Sequence, residues 1–402
     1  MSGCHERTLV VLVTAACNLR CTYCFLADKR PRRIDWGPLR TALDWLLASP
    51  SGRARIVFTG GEPLLALPLI ARAVEHLDHH CPHGLQVERE ILTNGLLLGD
   101  EAVAFLADYD FSVTLSFDGV AGAQDLRGTG TFATLDRLLT RLRRVRPTLF
   151  EERLTIASTV CRDNVPRLGD SVAYLLDAGV SSISMTPALV RDSRWTRHDA
   201  AVLDRQFARV YRHSLDHYRR TGDVPVQLFR KDSGDSSGPD RSTFPCRIAD
   251  GHAMAVDVTG RAVVCPLFAS SYHADGNALL DAAACAAALG PLARLPSRRR
   301  FGAARRRIQA TPLFGPRSEK HASRRRCCSC PYLARCTVCP VSIGLVPGNT
   351  DPNRIPDFQC DFVRTSLKYR DRFPAQASLQ GALSRLERLM ESLNRTRTAR
   401  VS

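Results

Sequence analysis

Three thiols fall within the eight residues Cys17-Asn18-Leu19-Arg20-Cys21-Thr22-Tyr23-Cys24, spaced CxxxCxxC just after the apolar run Leu9 to Val13. Thiolates on one short loop can hold three irons of a 4Fe–4S cluster, which leaves the fourth iron open to a small chelating molecule. The same cysteines could instead pack near a strand end or form part of a zinc site, although zinc ordinarily takes four ligands at spacings such as CxxC. Further along stands Gly60-Gly61-Glu62-Pro63. Two glycines let backbone groups approach a ligand closely, and a glutamate can accept hydrogen bonds from an ammonium. A second thiol group comprises Cys246, Cys265, Cys327, Cys330, Cys336, Cys339 and Cys360. Taken alone, Cys327-x2-Cys330-x5-Cys336-x2-Cys339 also suits a zinc knuckle. The chain has 15 cysteines in 402 residues and no opening stretch of secretory type, so metal or redox chemistry is expected rather than a disulfide framework. Cys4, Cys81, Cys161 and Cys285 have no motif partners and are read as structural.

The elements that must position these groups alternate. Short β-branched segments at Leu9 to Val13, Arg55 to Phe58, Val87 to Thr93, Ser112 to Ser116, Leu154 to Val160 and Ser182 to Thr186 are separated by stretches of helical period. The helices are predicted at Trp36 to Leu47, Leu64 to His79, Asp100 to Ala107, Phe132 to Arg144 and Val165 to Ala178, with another from about Asp199 to Arg220. Repeated βα units predict an α/β fold with a parallel sheet, which right-handed crossovers would wind into a partial (β/α)6 TIM barrel. In such barrels ligand-binding residues sit at the carboxyl ends of the strands. The thiol loop, Gly60-Gly61-Glu62-Pro63, Thr93-Asn94-Gly95 and Ser116-Phe117-Asp118-Gly119 follow four consecutive strands. The polar run Arg230 to Ser242 reads as a linker. Beyond it lies a cysteine-rich second domain with little regular periodicity, and leucines at helical spacing between Ser378 and Thr398 suggest a closing helix.

The formal net charge is +16, concentrated between Gly290 and Cys330, where twelve Lys or Arg face one acid, Glu319. A patch like this attracts polyanions, unless it is only a solvated face, and the scarcity of interleaved aromatics speaks against nucleic acid. No run of about eighteen apolar residues occurs, so a cytoplasmic protein with no membrane span is expected.

The CxxxCxxC loop followed by Gly60-Gly61-Glu62-Pro63 resembles the radical S-adenosylmethionine (SAM) family. The resemblance implies that Cys17, Cys21 and Cys24 hold a 4Fe–4S cluster whose open iron takes SAM. It implies further that Gly60, Gly61, Glu62 and Pro63 bind the methionyl amino group, that Tyr23 lies beside the adenine, and that Asn94 and Ser116, with Asp118 behind them, contact ribose and carboxylate. The stretch Gln124-Asp125-Leu126-Arg127-Gly128-Thr129-Gly130-Thr131-Phe132 is similar to a shortened HDxxR…GxGTF segment. The shortening prevents residue-for-residue transfer of an arginine to the SAM carboxylate, and Arg137 is the candidate for that role. Cys246, thirteen residues, Gly260, four residues and Cys265 resembles the CX9-15GX4C opening of the SPASM domain, which carries two auxiliary 4Fe–4S clusters. Cys336 and Cys339 are spaced CxxC, where the family has CxxxC. By resemblance, Cys246, Cys265 and Cys339 serve an inner cluster whose fourth position is either taken by His252 or left as an open iron that could bind substrate, the alternative being that His252 is an ordinary loop histidine. Cys327, Cys330, Cys336 and Cys360 serve an outer one, and Cys328 is a spare. The implied division is 1–235 for the barrel, 240–370 for the SPASM domain and 371–402 for a closing helix and tail.

The function expected on this resemblance is maturation of a ribosomally synthesised precursor peptide by a SAM-derived radical, forming a carbon–carbon or thioether cross-link or a related oxidation. Three 4Fe–4S clusters, SAM and a flavodoxin- or ferredoxin-type reductant would take part. Sulfatase-type protein maturation is the alternative, but Pro266 stands where the sulfatase maturases have an aspartate after the motif's last cysteine. A small-molecule radical SAM dehydrogenase and a non-catalytic, metal-stapled nucleic-acid-binding protein are the remaining readings. The first strand begins near residue 8, so recognition of an acidic leader is expected to fall to the barrel, the arginine patch or a separate protein.

Overall fold

The computed structural model describes residues 6–26, 29–189, 194–231, 252–269, 272, 277–292, 297–314, 325–346 and 348–374. Its first half is a run of βα units: β1 (Arg7–Thr14), α1 (Trp36–Leu47), β2 (Arg53–Gly60), α2 (Leu67–His80), β3 (Gln86–Thr93), α3 (Asp100–Asp108), β4 (Ser112–Ser116), α4 (Thr131–Val145), β5 (Leu154–Val160), α5 (Leu168–Asp177), β6 (Ile183–Pro187) and α6 (Arg197–Thr221). The six strands are parallel and stand side by side in chain order. Sequential order with right-handed crossovers puts every helix on one side of the sheet, which curls it into an open barrel.

Side chains alternate across β1 as a pleated strand requires. Leu9, Val11 and Val13 belong to the main core together with Leu39, Leu43 and Leu46 of α1, while Leu12 packs on the other face with Leu26, Ala269 and Tyr272. Two of the expected helices begin with a tighter turn. Pro63–Ala66 and Val165–Arg167 are 3-10 segments leading into α2 and α5, each with a proline in its first turn, where the missing N–H costs nothing. Helix α6 opens on a capping box between Thr196 and Asp199 and ends at Gly222 in the left-handed region.

The C-terminal region is tied to the barrel by the sheet itself. Strand β7 (Ala253–Val256) pairs parallel with β1, and β8 (Arg261–Val263) and β9 (Ala288–Pro291) extend the sheet antiparallel to nine strands. The edge of β1, otherwise a row of unpaired backbone groups, is thereby covered. Helices α7 (Ala278–Ala287), α8 (Arg298–Gln309) and α9 (Asp357–Arg372) complete this part, which is more regular than its sequence suggested. Helix α9 lies against α6 through Phe207–Phe362 and Phe207–Tyr369 ring contacts, and Gln359 reaches back to the carbonyl of Ala188 just past β6, at 2.8 Å. The expected boundary at 235–240, Cys246 and the helix from Ser378 to Thr398 lie outside the described residues. No helix among the described residues is long and apolar enough to cross a membrane.

Candidate active site

The thiol loop leaves the carboxyl end of β1 and is fastened at several points. The N–H groups of Gly61 and Glu62 donate to the carbonyls of Thr14 and Ala16, both at 2.8 Å. This explains the two glycines. A Cβ on Gly61 would stand 2.1 Å from the Ala16 carbonyl oxygen, and one on Gly60, whose φ is +138°, 2.2 Å from that of Thr14. The close approach that glycine permits here is thus to the root of the thiol loop. Inside the loop the Leu19 N–H faces Cys17 Sγ at 3.4 Å, and the Asn94 amide donates to Asn18 Oδ1 at 2.7 Å, with Cys17 Sγ at 4.0 Å.

Glu62 is fully buried, and its carboxylate takes three donors from the chain: the N–H of Leu64 at 3.1 Å, the Thr93 hydroxyl at 2.8 Å and the N–H of Asn94 at 2.8 Å. Burial pushes its carboxyl above the usual range, and the three donors pull against that. The carboxylate therefore splices the end of β2 to the end of β3. Pro63 is buried and opens the 3-10 turn, and Ser116 is half-buried at the end of β4.

Tyr23, Asp118 and Arg127 form a buried network. The Tyr23 hydroxyl donates to Asp118 Oδ2, and Arg127 forks onto the same carboxylate through Nε at 3.0 Å and Nη2 at 2.9 Å. Nη2 also donates to the Ala157 carbonyl and the Thr159 hydroxyl, while Asp118 Oδ1 takes the Thr159 N–H and the Asp118 N–H donates to Gln124 Oε1. Burial pulls the Arg127 guanidinium down, but the Asp118 carboxylate outweighs this and holds it charged. The Tyr23 phenol is pushed up, by burial first, and stays protonated. Tyr23 is thus engaged at its hydroxyl end with the turn after β4. Arg137, by contrast, is exposed on α4. The only mark Arg127 carries in the sequence is its place in the shortened HDxxR-like stretch. Tyr272 was missed altogether: it is buried, stands edge-on to Phe25 with centroids 4.8 Å apart, and lies within electrostatic range of both Cys24 and Cys265.

In the C-terminal region Cys327 follows Arg326, which is ion-paired to α9, the helix that carries Cys360. Burial pushes the Cys360 thiol up to about 11, and Cys327 lies within electrostatic range of it. The intervening Arg326 bridges to Asp357 at 2.9 Å and to Asp361, so a residue counted in the basic patch is a clamp. Cys330 and Cys336 follow within two tight turns, and Cys339 precedes the helical turn Pro340–Gly344. Cys265 follows β8, whose antiparallel register leads the chain back toward His252, and the His252 carbonyl accepts from the Thr8 N–H at 2.8 Å. Cys285, read as structural, is exposed, as is Cys328, whereas Cys161 is buried. Among the described residues no three His, Cys, Asp or Glu side chains are gathered closely enough to hold a metal ion as they stand. What fits an iron–sulfur cluster is the donor set: three thiols on one loop, at the carboxyl end of a barrel strand, with amide donors and a buried cation beside them.

Residues 11–160 match the sequence model of the Radical SAM superfamily. The chain carries a radical SAM domain, and such a domain implies a 4Fe–4S cluster and SAM. The chain is 32% identical over 180 residues to an uncharacterized protein of Methanocaldococcus jannaschii, covering 44% of this chain and 60% of that one. It is also 32% identical over 143 residues to the cysteine-type anaerobic sulfatase-maturating enzyme of Clostridium perfringens, covering 32% of this chain and 38% of the enzyme. These matches span less than two thirds of either relative. Among solved structures, anSMEcpe with bound AdoMet and Cp18Cys peptide superposes with a TM-score of 0.68 at 17% identity, covering 91% of this chain and 96% of that one. Streptococcus suis SuiB bound to its precursor peptide SuiA gives 0.54 at 16% identity, covering 89% and 76%. The fold is that of a radical SAM domain followed by a SPASM-like C-terminal region.

Proposed function

We propose that this chain is a radical SAM peptide maturase: bound SAM, cleaved by one electron from the cluster, would supply a 5'-deoxyadenosyl radical that abstracts hydrogen from a ribosomally made precursor peptide. The observation that carries the reading is the docking of the thiol loop onto Gly61 and Glu62 at the carboxyl ends of β1 and β2, within a fold shared along most of the chain with two peptide-bound proteins. Cys17, Cys21 and Cys24 would hold the cluster. The strand-end residues Gly60, Gly61, Glu62, Pro63, Asn94, Ser116 and Asp118, with Tyr23, would shape the SAM site, Glu62 and Asp118 acting mainly by holding the strand ends together. Cys327, Cys330, Cys336 and Cys360 would hold an outer auxiliary cluster, a reading supported by the Arg326 ion pairs that tie the Cys327 segment to the helix carrying Cys360. Cys246, Cys265 and Cys339, with His252 as a further donor, would hold an inner one.

A sulfatase-type protein maturase is the second reading, favoured by the Clostridium perfringens similarity. Against it stands Pro266, which opens a 3-10 turn directly after Cys265 and offers no carboxylate there. The test is anaerobic reconstitution followed by iron, sulfide and zinc analysis, then dithionite and SAM with an assay for 5'-deoxyadenosine. About twelve irons per chain and formation of that product support the proposal. Stoichiometric zinc without product overturns it. Mass changes in a peptide encoded beside the gene, but none in a sulfatase peptide, separate the two readings.

A further inference from the structure

Resting on the reading of Cys17, Cys21 and Cys24 as cluster ligands, we propose that Arg127 is a positioning residue that fixes the thiol loop and, through its charge beside Cys21, raises the reduction potential of the cluster held there. A buried ion pair is seldom retained for stability alone, because desolvation cancels much of the attraction. The pair Arg127–Asp118 is nearly inaccessible, with side-chain exposures of 8% and 0%. It holds the loop at two points. The Thr22 N–H donates to the carbonyl of Leu126, adjacent to Arg127, at 2.8 Å, and the Tyr23 hydroxyl donates to the oxygen of Asp118 that also takes Arg127 Nε. The guanidinium stands over the Tyr23 ring, 5.4 Å from its centroid. Two residues of the loop centre, Thr22 and Tyr23, are thereby clamped between two thiols.

The same guanidinium lies over Tyr23, between Cys21 and Cys24, and so stands beside the loop that would hold the cluster. Its Nε and Nη2 are spent on Asp118, Ala157 and Thr159, and Nη1 makes no hydrogen bond among the described residues. Adding an electron to an anionic cluster is easier beside the positive end of a buried ion pair, since local charge and dielectric set the potential.

The test uses the full chain, with Asp118→Asn/Arg127→Gln as the deciding variant, because it removes both charges together and leaves neither buried alone. Two readouts are taken: hydrogen exchange at the Thr22 amide in metal-free protein, and a redox titration of the electron paramagnetic resonance signal that changes on adding SAM, which singles out the loop cluster. The expected result is at least tenfold faster exchange at Thr22 and a cluster about tenfold harder to reduce, equivalent to about 59 mV for a one-electron couple. Wild-type exchange at Thr22, or a wild-type midpoint, overturns the proposal. Should the double variant not fold, Arg127→Lys decides, since it keeps the charge and loses the fork: the midpoint should stay within threefold while Thr22 protection falls, and the converse overturns the proposal. A wild-type chain in which no signal responds to SAM would instead sink the cluster reading on which this rests.

Discussion

Glu62 shows how a residue type can be legible while its immediate task is not. The sequence marks it as an acceptor at a strand end, and the structure gives that acceptor capacity to Leu64, Thr93 and Asn94 of the chain itself. An amide in its place turns one acceptor oxygen into a donor, so at least one buried N–H or O–H loses its partner. Glu62→Gln should cost about 1–3 kcal/mol of stability, measured by urea unfolding of the metal-free protein; an unchanged midpoint would show that the three bonds do not hold the strand ends. The cysteines make a second residue-scale case, because sequence separates motif from non-motif thiols but says nothing of their exposure. Burial, the largest effect on Cys161, pushes its thiol up to about 11, so at pH 8 it stays protonated as well as inaccessible. Iodoacetamide at pH 8 should therefore modify the exposed Cys285 and Cys328 well before Cys161, with Cys161 reacting only as pH approaches 11 or the chain unfolds. Peptide mass spectrometry across a pH series checks the order, and early labelling of Cys161 would contradict its burial just after β5.

At the scale of elements, the period-2 and period-3.6 patterns placed six strands and six helices because each buries one well-defined face. What they could not give was the use of glycine at the β1–β2 junction, where Gly60 and Gly61 lie against the Thr14 and Ala16 carbonyls. Nor could they give β7, a strand of four residues whose reason to exist is the open edge of β1. The Arg326 clamp belongs to this scale, since its partners Asp357 and Asp361 lie one helical turn apart on α9, on either side of Cys360. Within a run of arginines it carried no distinguishing mark. Arg326→Ala should loosen the Cys327 segment from α9 and lower reconstituted iron from about twelve to about eight per chain, sparing the loop cluster and its SAM-responsive spectrum. Unchanged iron content would mean that the thiols alone assemble the outer site.

Across the whole molecule, the charge asymmetry that the sequence advertises becomes a surface with a definite support. Helix α8 buries Phe301, Ala304 and Ile308, and its outward Arg299, Arg300, Arg305 and Arg306 stand exposed, while Arg307 donates to the Ala288 carbonyl at 2.7 Å. The helix has no acidic residue in its first turn or elsewhere along Arg298–Gln309. A stable helix of one sign, packed through its apolar stripe, costs self-repulsion that a polyanionic partner would relieve. The proposed precursor peptide, if its leader is acidic, supplies that partner. Exposed charges are screened over roughly 8 Å at physiological ionic strength, so capture by this face must weaken with salt. An acidic peptide titrated by fluorescence anisotropy should lose about tenfold in affinity between low and high salt. The variant with Arg299, Arg300, Arg305 and Arg306 all changed to Glu should bind it weakly at every salt concentration, with the slope abolished or reversed. Its iron content should be unaltered, because none of the four lies among the thiols. Equal affinity and equal slope in both proteins would move peptide recognition away from α8, to the barrel mouth or a separate protein. Weakened binding to duplex DNA alone, with the peptide unaffected, would instead make the basic face a nucleic-acid surface.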